Sequence, residues 1–503
     1  MTYKAEVLVD PRRLRGRIDP LIYGQFIEHI GRVIYGGVYD PGSPNSDKKG
    51  YRLDVIEAAK ALKPSVLRWP GGNFASGYHW RDGIGETRNR PRRRDLAWGA
   101  IDDNSFGTEE FLEYCRILGA EPYLNLNMGT GSVDEALRWL EYCNGEEGGI
   151  PEVNERMRGP HGEPHGVKYW GLGNEVYGWW QHGHTTAQQY AEQAREWGKL
   201  MRWQDSRARL IGVGANDPDW NWTVLKTAGR SIDYLSLHFY WHAKDDAYSS
   251  TLAGPPASEQ EIITAYGMCL GARKLMGVER PITICVDEWG VWSKTAVQAD
   301  PSKPSPMEVG FSARSGIDTR FEEPYDLKDA LAVASWLHVM WRHPEKVTMA
   351  TQAQMVNAIA PIHTTKTGLV KHTIWWPLAM AREQAGSHSL ILVTRTGAEV
   401  EAPGLTGEHL PALDAGGTFD PEKSQVHLSF VNRSRVEECE LTIDLMGQPG
   451  PMDSTTLWHE DPFAGNTEKE PELIVAKRAN IGVPKSMKLI LNPHSHTTVT
   501  FQV

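Results

Sequence analysis

The chain has 503 residues, long enough for a barrel of about 250 residues or more and a second domain. Hydrophobic residues make up 40% of it and charged residues 23%, and no apolar run approaches the about 20 residues of a membrane helix, which excludes a disordered or membrane-spanning protein. The formal net charge of -11 argues against nucleic acid or another polyanion as a partner.

The first residues do not have the pattern of an export signal. Lys4, Glu6 and Asp10 interrupt the stretch in which a signal peptide needs a continuous apolar run. The five cysteines are widely spaced and form no C-x-x-C pair, which is typical of small buried side chains in a reducing compartment. We therefore expect a cytoplasmic protein without a disulfide or a structural zinc ion.

From Ile18 onward, short apolar runs alternate with segments of helical periodicity, which predicts βαβ units around a parallel sheet. Eight such repeats in about 340 residues predict an α/β fold, a (β/α)₈ TIM barrel, over residues 18–375. The eight candidate strands are residues 21–26, 65–68, 122–127, 167–173, 210–214, 232–238, 282–286 and 347–354.

Three of the intervening helices carry start signals. A capping box pairs a hydroxyl with an acid or amide three residues later, and satisfies two free backbone N–H groups. The predicted boxes are Ser132 with Glu135, Thr186 with Gln189, and Ser258 with Glu261.

Past about residue 376 the helical periodicity gives way to short alternating segments separated by Gly, Pro and Asn, which predicts a jelly-roll-like β-sandwich over residues 376–503. Its candidate strands are residues 390–393, 426–431, 441–445, 455–458, 489–491 and 497–503. Residues 5–9 also alternate, so we expect residues 1–17 to supply a further strand of this sheet.

A long insertion, residues 293–325, lies between the seventh strand and a helix that is expected to begin near Asp326. It is rich in Pro, Ser and charged residues. A loop of this length on the catalytic face shapes either a substrate cleft or an oligomer contact, and the sequence leaves both open.

Polar and aromatic residues follow most of the candidate strands. Active sites of such barrels lie at the carboxyl ends of the strands, so we expect a functional rim there. Its candidates are Glu28, His29, Arg68, Asn73, Asn125, Asn127, Asn174, Glu175, His238, Tyr240, Asp287, Glu288, Trp292, Gln354 and Asn357.

Two carboxylates stand out in this rim, Glu175 and Glu288, each closely followed by tryptophan. By itself the Asn174-Glu175 step could equally cap a helix, but a second glutamate across the barrel mouth favours catalysis. Hydrolysis of a glycosidic bond needs one carboxylic acid to protonate the leaving oxygen and one carboxylate to attack or to activate water. Arg68 and Tyr240 are suited to hold Glu288 ionised as the nucleophile, and this charge should raise the pKa of Glu175, the acid/base.

Other functions fit the residues less well. The histidines form no H-E-x-x-H pattern, so we expect no metal and no cofactor. A non-catalytic sugar-binding protein would use the tryptophans but would not need two opposed acids. The Gly71-Gly72 turn does not continue into a phosphate-binding loop. Asp287, beside Glu288, is expected to be a structural hydrogen-bond acceptor.

Five motifs, in order through the predicted barrel, resemble the α-L-arabinofuranosidases of glycoside hydrolase family 51. They are IYGQFIEHIGRVIYGGVYDPG from Ile22, LRWPGGNFASGYHWRDGIG from Leu67, GNE at Gly173, DEWGVW at Asp287 and AQMVNAIAPI from Ala353. The resemblance implies a retaining, exo-acting enzyme that removes terminal α-L-arabinofuranosyl residues from arabinan or arabinoxylan fragments, with its two carboxyl groups about 5 to 5.5 Å apart.

The resemblance also implies roles residue by residue. Glu175 matches the acid/base and Glu288 the nucleophile. The residues that match positions binding the sugar ring, orienting the nucleophile or lining the pocket are Glu28, Arg68, Asn73, Asn174, Tyr240, Gln354, Phe26, Trp98, Trp180 and Trp292, to which we add His238. Family members are commonly metal-free, cytoplasmic and homo-oligomeric, often hexameric.

The chain departs from the family pattern directly after GNE. Val176-Tyr177 stand in place of a Met-Asp pair, and Trp179 replaces a proline. These positions lie where the leaving group would sit, so an endo-β-1,4-glucanase or a β-xylosidase using the same two glutamates remains the alternative.

Overall fold

The computed structural model describes residues 1–242, 247–292, 321–484 and 486–503. Eight parallel strands close into a barrel in sequence order, as predicted. Numbered first to eighth, they are Gly24–Phe26, Val66–Trp69, Glu121–Asn125, Tyr169–Leu172, Arg209–Gly212, Tyr234–Trp241, Thr283–Val291 and Val347–Gln352. The predicted and observed ends differ most at the sixth and seventh strands, which run on so that Tyr240 and Glu288 lie within strands rather than after them.

The helices lie between and after the barrel strands. They are Leu53–Leu62, Thr108–Leu118, Val133–Asn144, Pro151–Met157, Ala187–Gln204, Pro218–Ala228, Ala247–Met276, Leu327–Arg342 and Trp375–Gln384. Asp326 is the N-cap of the helix that follows the long insertion, as predicted. Of that insertion, residues 293–320 lie outside the described residues.

The helix starts agree with the predicted capping boxes in part. Thr186 and Gln189 form a full box, and the Ser132 side chain accepts a hydrogen bond from the Glu135 N–H. The third box is wrong. Ser258 lies inside the helix Ala247–Met276, and its hydroxyl donates to the Gly254 carbonyl one turn earlier.

A nine-stranded sheet follows the barrel. All six predicted strands are present in it, and two further strands, Leu413–Asp420 and Lys477–Gly482, were not predicted. The other strands are Thr2–Arg17, His388–Thr396, Gln425–Asn432, Glu438–Leu445, Met452–Leu457, Lys488–Leu491 and Ser495–Gln502. The sheet encloses a core of its own that includes Val7, Phe430 and Phe501, as in a β-sandwich.

The N-terminal strand Thr2–Arg17 belongs to this second sheet. It pairs with His388–Thr396 on one side and with Glu438–Leu445 on the other. The predicted loss of helical periodicity at residue 376 is wrong, because the helix Trp375–Gln384 crosses that position. Trp375, Leu378 and Ala381 are buried in the barrel core, so the last helix packs with the barrel.

Buried charges join the sheet to the helix Leu327–Arg342. Asp414 lies 3.0 Å from His338, 3.2 Å from Arg342 and 3.0 Å from Arg433. A side chain at Gly416 would clash with His338, since its Cβ would lie 2.5 Å from the imidazole ring. Gly416, which disfavours a strand locally, therefore permits this close contact.

All five cysteines are buried and unpaired. Among the described residues, no helix has the length and apolar character that crossing a membrane requires.

Candidate active site

The two glutamates lie on either side of one imidazole nitrogen. Glu175 follows the fourth strand in a left-handed conformation, with φ 42°, and Glu288 lies on the seventh strand. Nδ1 of His238, on the sixth strand, is 2.7 Å from Glu175 Oε1 and 3.5 Å from Glu288 Oε2. One oxygen of each carboxylate and this nitrogen all lie within 4.8 Å of one another.

Glu288 is held by one donor on each oxygen. The Arg68 guanidinium donates to Oε1 at 2.7 Å, and the Tyr240 hydroxyl donates to Oε2 at 2.7 Å. The same guanidinium donates to Asn174 Oδ1 at 2.7 Å, and its carbon lies 4.4 Å from the centroid of the Phe26 ring. Arg68 therefore fixes the positions of a carboxylate and an amide together.

Arg68 is fully buried, and the surrounding groups keep it charged. Burial opposes its charge, but Asp287, Tyr123 and Glu288 raise the pKa of Arg68 above its ordinary value. Asp287 accepts a hydrogen bond from Tyr123 at 2.8 Å and lies 3.2 Å from His238 Nε2. Asp287 thus acts as an acceptor beneath the two glutamates.

His238 carries a proton between the carboxylates. Its burial opposes the charge, but Glu288, Asp287 and Glu175 raise the pKa of His238 to about 10. The predicted rise in the pKa of Glu175 is wrong for the enzyme without substrate. Burial would raise it, but the hydrogen bond and charge of His238, with Trp180 and Arg68, hold the pKa of Glu175 below its ordinary value.

Another buried carboxyl, that of Glu28, lies behind the glycine turn after the second strand. The Phe74 N–H and the Trp98 indole donate to its Oε1, each at 3.0 Å, and the Gln354 amide donates to its Oε2 at 3.1 Å. Burial, with Glu288 nearby, raises the pKa of Glu28 to about 8. A Cβ at Gly72 would lie 2.7 Å from Glu28, so the turn needs glycine there to approach the carboxyl.

The remaining predicted site residues join the same network of contacts. The Asn174 amide donates to Asn73 Oδ1 at 3.3 Å, and the Trp180 indole donates to Glu175 Oε2 at 2.9 Å. The Trp292 ring meets Tyr240 edge to face, with centroids 5.6 Å apart. The structure therefore brings all thirteen predicted site residues, from Phe26 to Gln354, into one continuous cluster.

Other residues of the predicted rim are held in contacts that support loops. Asn127 Oδ1 accepts from the N–H groups of the 129–131 turn, and the Asn357 amide donates to the Arg32 carbonyl at 2.7 Å. His29 lies 2.7 Å from Asp102, and the Asn125 amide donates to the Gly71 carbonyl at 2.8 Å.

Two aromatic residues of the site were not predicted to line the pocket. The Tyr177 hydroxyl donates to Glu175 Oε1 at 3.3 Å. Phe321, from the end of the long insertion, meets the rings of Trp98 and Trp292 edge to face, at 5.2 and 6.1 Å. Tyr177 lies two residues after Glu175, so the sequence could have indicated that it contacts the site. Nothing in the sequence indicated Phe321.

Among the described residues, one group has the composition of a metal site: Glu175, His238 and Glu288. Two other histidines have carboxylate partners away from this group. His161 lies 3.2 Å from Glu113, and His165 lies 3.0 Å from Glu109.

Comparison with known proteins gives one consistent result. Residues 58–252 match the family model "Alpha-L-arabinofuranosidase 1 domain" and residues 287–495 match "Alpha-L-arabinofuranosidase C-terminal domain". Alpha-L-arabinofuranosidase C of Emericella nidulans is 38% identical over 93% of this chain and 92% of that protein. The "Intracellular exo-alpha-(1->5)-L-arabinofuranosidase" of Halalkalibacterium halodurans is 35% identical over 93% of each. The structure of AbfB, a family 51 alpha-L-arabinofuranosidase from Bifidobacterium longum, superposes with a TM-score of 0.91 at 30% identity, covering 100% of both chains.

The charge on His238 predicts a pH-dependent stability. The folded-state pKa of about 10 exceeds the ordinary value of about 6.5, so the stabilisation is fully present below pH about 6.5 and is lost as the pH rises through about 10. We expect His238→Gln to lower the midpoint of thermal unfolding by several degrees at pH about 7, and the gap to wild type to shrink by pH about 10.

The exposed His409 provides the matched control. The midpoint of His409→Gln should follow that of wild type at both pH values. A gap between His238→Gln and wild type that stays constant from pH about 7 to about 10 would show that His238 is not the group carrying the proton.

Proposed function

Because the chain belongs to the α-L-arabinofuranosidases of glycoside hydrolase family 51, we propose that Glu175 and Glu288 hydrolyse the arabinofuranosidic bond by double displacement. The chain is a glycoside hydrolase with α-L-arabinofuranosidase activity. The endo-β-1,4-glucanase and β-xylosidase alternative is not favoured, since arabinofuranosidases match nearly the whole chain.

One observation carries the mechanism: oxygens of the two carboxylates lie within 4.8 Å of each other, on either side of His238. In retaining glycosidases the carboxyl groups are about 5 to 5.5 Å apart, while inverting enzymes hold them about 6.5 to 9.5 Å apart to admit a water molecule. The approach of one Glu175 oxygen to one Glu288 oxygen is closer to the retaining arrangement than to the inverting one, and favours direct attack by one of the two carboxylates.

Glu288 is the proposed nucleophile. Its two oxygens receive hydrogen bonds from Arg68 and Tyr240, which favour the ionised form and fix its orientation. A Glu288 oxygen forms a bond to the anomeric carbon while the bond from that carbon to the leaving oxygen breaks. The product of this step is an arabinosyl ester of Glu288.

Glu175 is the proposed acid/base. It protonates the leaving oxygen in the first step, and in the second step it takes a proton from the water that cleaves the ester, which restores both residues. In the free enzyme the nearest proton is on His238 Nδ1, 2.7 Å from Glu175. We infer that this hydrogen bond is the route by which Glu175 acquires its proton when the sugar displaces water.

The sugar ring is proposed to occupy the space between Glu288 and Glu28. Asn174 and Gln354, each 3% exposed or less, border it with their amides. The pKa of about 8 keeps Glu28 protonated at neutral pH, so it adds no second negative charge beside Glu288 and has a hydroxyl to donate to the sugar. Asn73, Phe26, Trp98 and Trp292 complete the proposed ring-binding set.

The natural substrate, the cellular location, the oligomeric state and the domain division are further proposals. We propose exo action on terminal non-reducing residues of arabinan- or arabinoxylan-derived oligosaccharides, supported by the exo-(1->5) relative of Halalkalibacterium halodurans. That relative is also named intracellular, which supports a cytoplasmic location. We propose a homo-oligomer, with a hexamer favoured, and a division into a barrel domain and a β-sandwich joined by residues 1–17. The predicted boundary between 18–375 and 376–503 moves to the end of the helix Trp375–Gln384, which packs with the barrel.

Loss of the nucleophile should abolish turnover. We expect Glu288→Ala to lower kcat/KM on an aryl α-L-arabinofuranoside by at least about a thousandfold, and azide to restore turnover with a β-configured arabinosyl azide as the product, because azide attacks the face that Glu288 has vacated. Product configuration is read by NMR. Glu279→Ala, at an exposed glutamate, is the control and should keep wild-type activity. Wild-type rates for Glu288→Ala would reject the assignment.

Loss of the acid/base should depend on the leaving group. For Glu175→Ala we expect a loss in kcat/KM of about tenfold or less on an aryl glycoside with a strongly acidic phenol, and about a thousandfold on arabinobiose, because a good leaving group needs little protonation. Steady-state kinetics on both substrates measure the difference. Equal losses on the two substrates would contradict the role of Glu175.

Substrate choice is tested with one panel of assays. The wild-type enzyme should release arabinose, one unit at a time from the non-reducing end, from α-1,5-linked arabino-oligosaccharides. Rates on aryl β-D-xylopyranoside and on β-glucan should be lower by at least about a hundredfold. Rapid formation of long oligosaccharides, or comparable rates on β-glucan, would contradict exo action.

A further inference from the structure

A cavity of about 900 Å³ lies in the second sheet, and none of its lining residues belongs to the catalytic site. It opens where the strands His388–Thr396 and Leu413–Asp420 diverge, since these strands pair only at His388 with Phe419 and at Ser389 with Thr418. Beyond that point each strand pairs with its other neighbour. The volume is within the range of about 300 to 1,000 Å³ of small-molecule sites.

The cavity lies toward the end of the barrel opposite the two glutamates. Trp341 and Arg342 line it from the C-terminal end of the helix Leu327–Arg342. This helix leads into the start of the eighth strand at Val347, whereas the active site lies at the carboxyl ends of the strands. A ligand here would not compete with the sugar for space.

The charge of the lining is positive in a chain whose net charge is -11. The cations are Lys4, Arg15, Arg342, Arg395 and Arg433, and the anions are Glu6 and Asp414. Glu6 pairs with Arg395 at 3.2 Å, and Asp414 is shared between Arg342 and Arg433. Arg342 also pairs at 2.8 Å with Glu259, which is not part of the lining. Lys4 and Arg15 form no ion pair within the described part of the chain.

Two buried polar atoms of the lining are also unsatisfied. Arg433, 3% exposed, has no hydrogen-bond partner for its Nε among the described residues, and neither has the Oγ of Ser389, 1% exposed. Burial, together with the neighbouring Arg342, lowers the pKa of Arg433 despite Asp414. Buried groups of this kind cost free energy, and both atoms are shielded from the cavity space, so the ligand contacts fall to the exposed cations of the lining, Lys4 and Arg15.

We propose that this cavity binds a small polyhydroxylated anion, either a sugar acid or a sugar phosphate. Guanidinium groups recognise carboxylate and phosphate oxygens, and the hydroxyls of Thr394 and Thr442 can pair with those of the ligand. A neutral sugar is a poorer fit, because the aromatic residue of the lining, Trp341, is only 2% exposed and offers no ring face for stacking.

The test uses the full chain and isothermal titration with four probes: glucuronate, glucose 6-phosphate, glucose and inorganic phosphate. We expect saturable binding of at least one of the two sugar anions and none of glucose at the same concentration. Binding of glucuronate alone identifies a carboxylate site, and binding of glucose 6-phosphate alone identifies a phosphate site. Inorganic phosphate that binds as tightly as the sugar anions would show an adventitious ion only and would overturn the proposal.

Variants locate the binding. In Lys4→Gln/Arg15→Gln, which changes two exposed cations of the lining, we expect the Kd to rise by about tenfold or more. Arg13→Gln removes an exposed cation of the same strand that does not line the cavity, and should leave the Kd unchanged. Equal affinity in the two variants, or no saturable binding of either sugar anion to wild type, would overturn the proposal.

Discussion

The buried guanidinium of Arg68 is the constraint on which the catalytic end of the barrel depends. A fully buried charge is costly unless it is paired and hydrogen-bonded. Arg68 meets that requirement with Glu288, Asn174 and the carboxylate of Asp287, which come from the seventh and fourth strands. Because the cation cannot be left unpaired, those strands must bring their polar groups to the same point. The geometry of Glu288, the proposed nucleophile, is therefore set by the same contacts that stabilise the barrel mouth.

The charge balance around His238 follows from this arrangement. Glu175, Asp287 and Glu288 all lie within 3.5 Å of its two ring nitrogens. Three carboxylates so close together repel one another, and the imidazolium relieves that repulsion. The enzyme without substrate therefore holds a proton next to its acid/base rather than on it. In the proposed mechanism His238 has passed its proton to Glu175 by the time the ester forms, and the ester removes the charge of Glu288, the largest contribution favouring the charged imidazole. His238 therefore stays neutral, and Glu175 has no neighbouring imidazolium to lower its basicity in the step where it acts as a base.

The sequence could predict the features that depend on local pattern. The alternation of apolar runs and helical segments predicted the barrel, because each run forms one buried strand. The positions at the ends of these strands predicted Glu175, Glu288 and the residues around them as the site. It could not predict the pKa of Glu175, which depends on a histidine 63 positions away in the chain. Likewise, Phe321 reaches the pocket from the end of a long loop, where no periodicity indicates a position. Residues 413–420 were missed as a strand because Gly416 and Gly417 disfavour one locally, while the close contact with His338 requires glycine at position 416.

The two sides of the site differ in exposure, and this difference bears on specificity. On the ring-binding side, Glu28, Asn174 and Gln354 are each 3% exposed or less. On the other side, Trp180 is 37% exposed and Trp179 is 58% exposed, and their rings meet edge to face at 6.0 Å. A closed, hydrogen-bonded pocket discriminates strongly because an ill-fitting sugar leaves buried polar groups unpaired, whereas an open aromatic surface accepts ligands of many shapes. The enzyme should therefore be strict about the arabinofuranosyl unit and tolerant of the group attached to it. Of the departures from the family pattern, Trp179 falls on the tolerant side, whereas Val176 is buried in the barrel core.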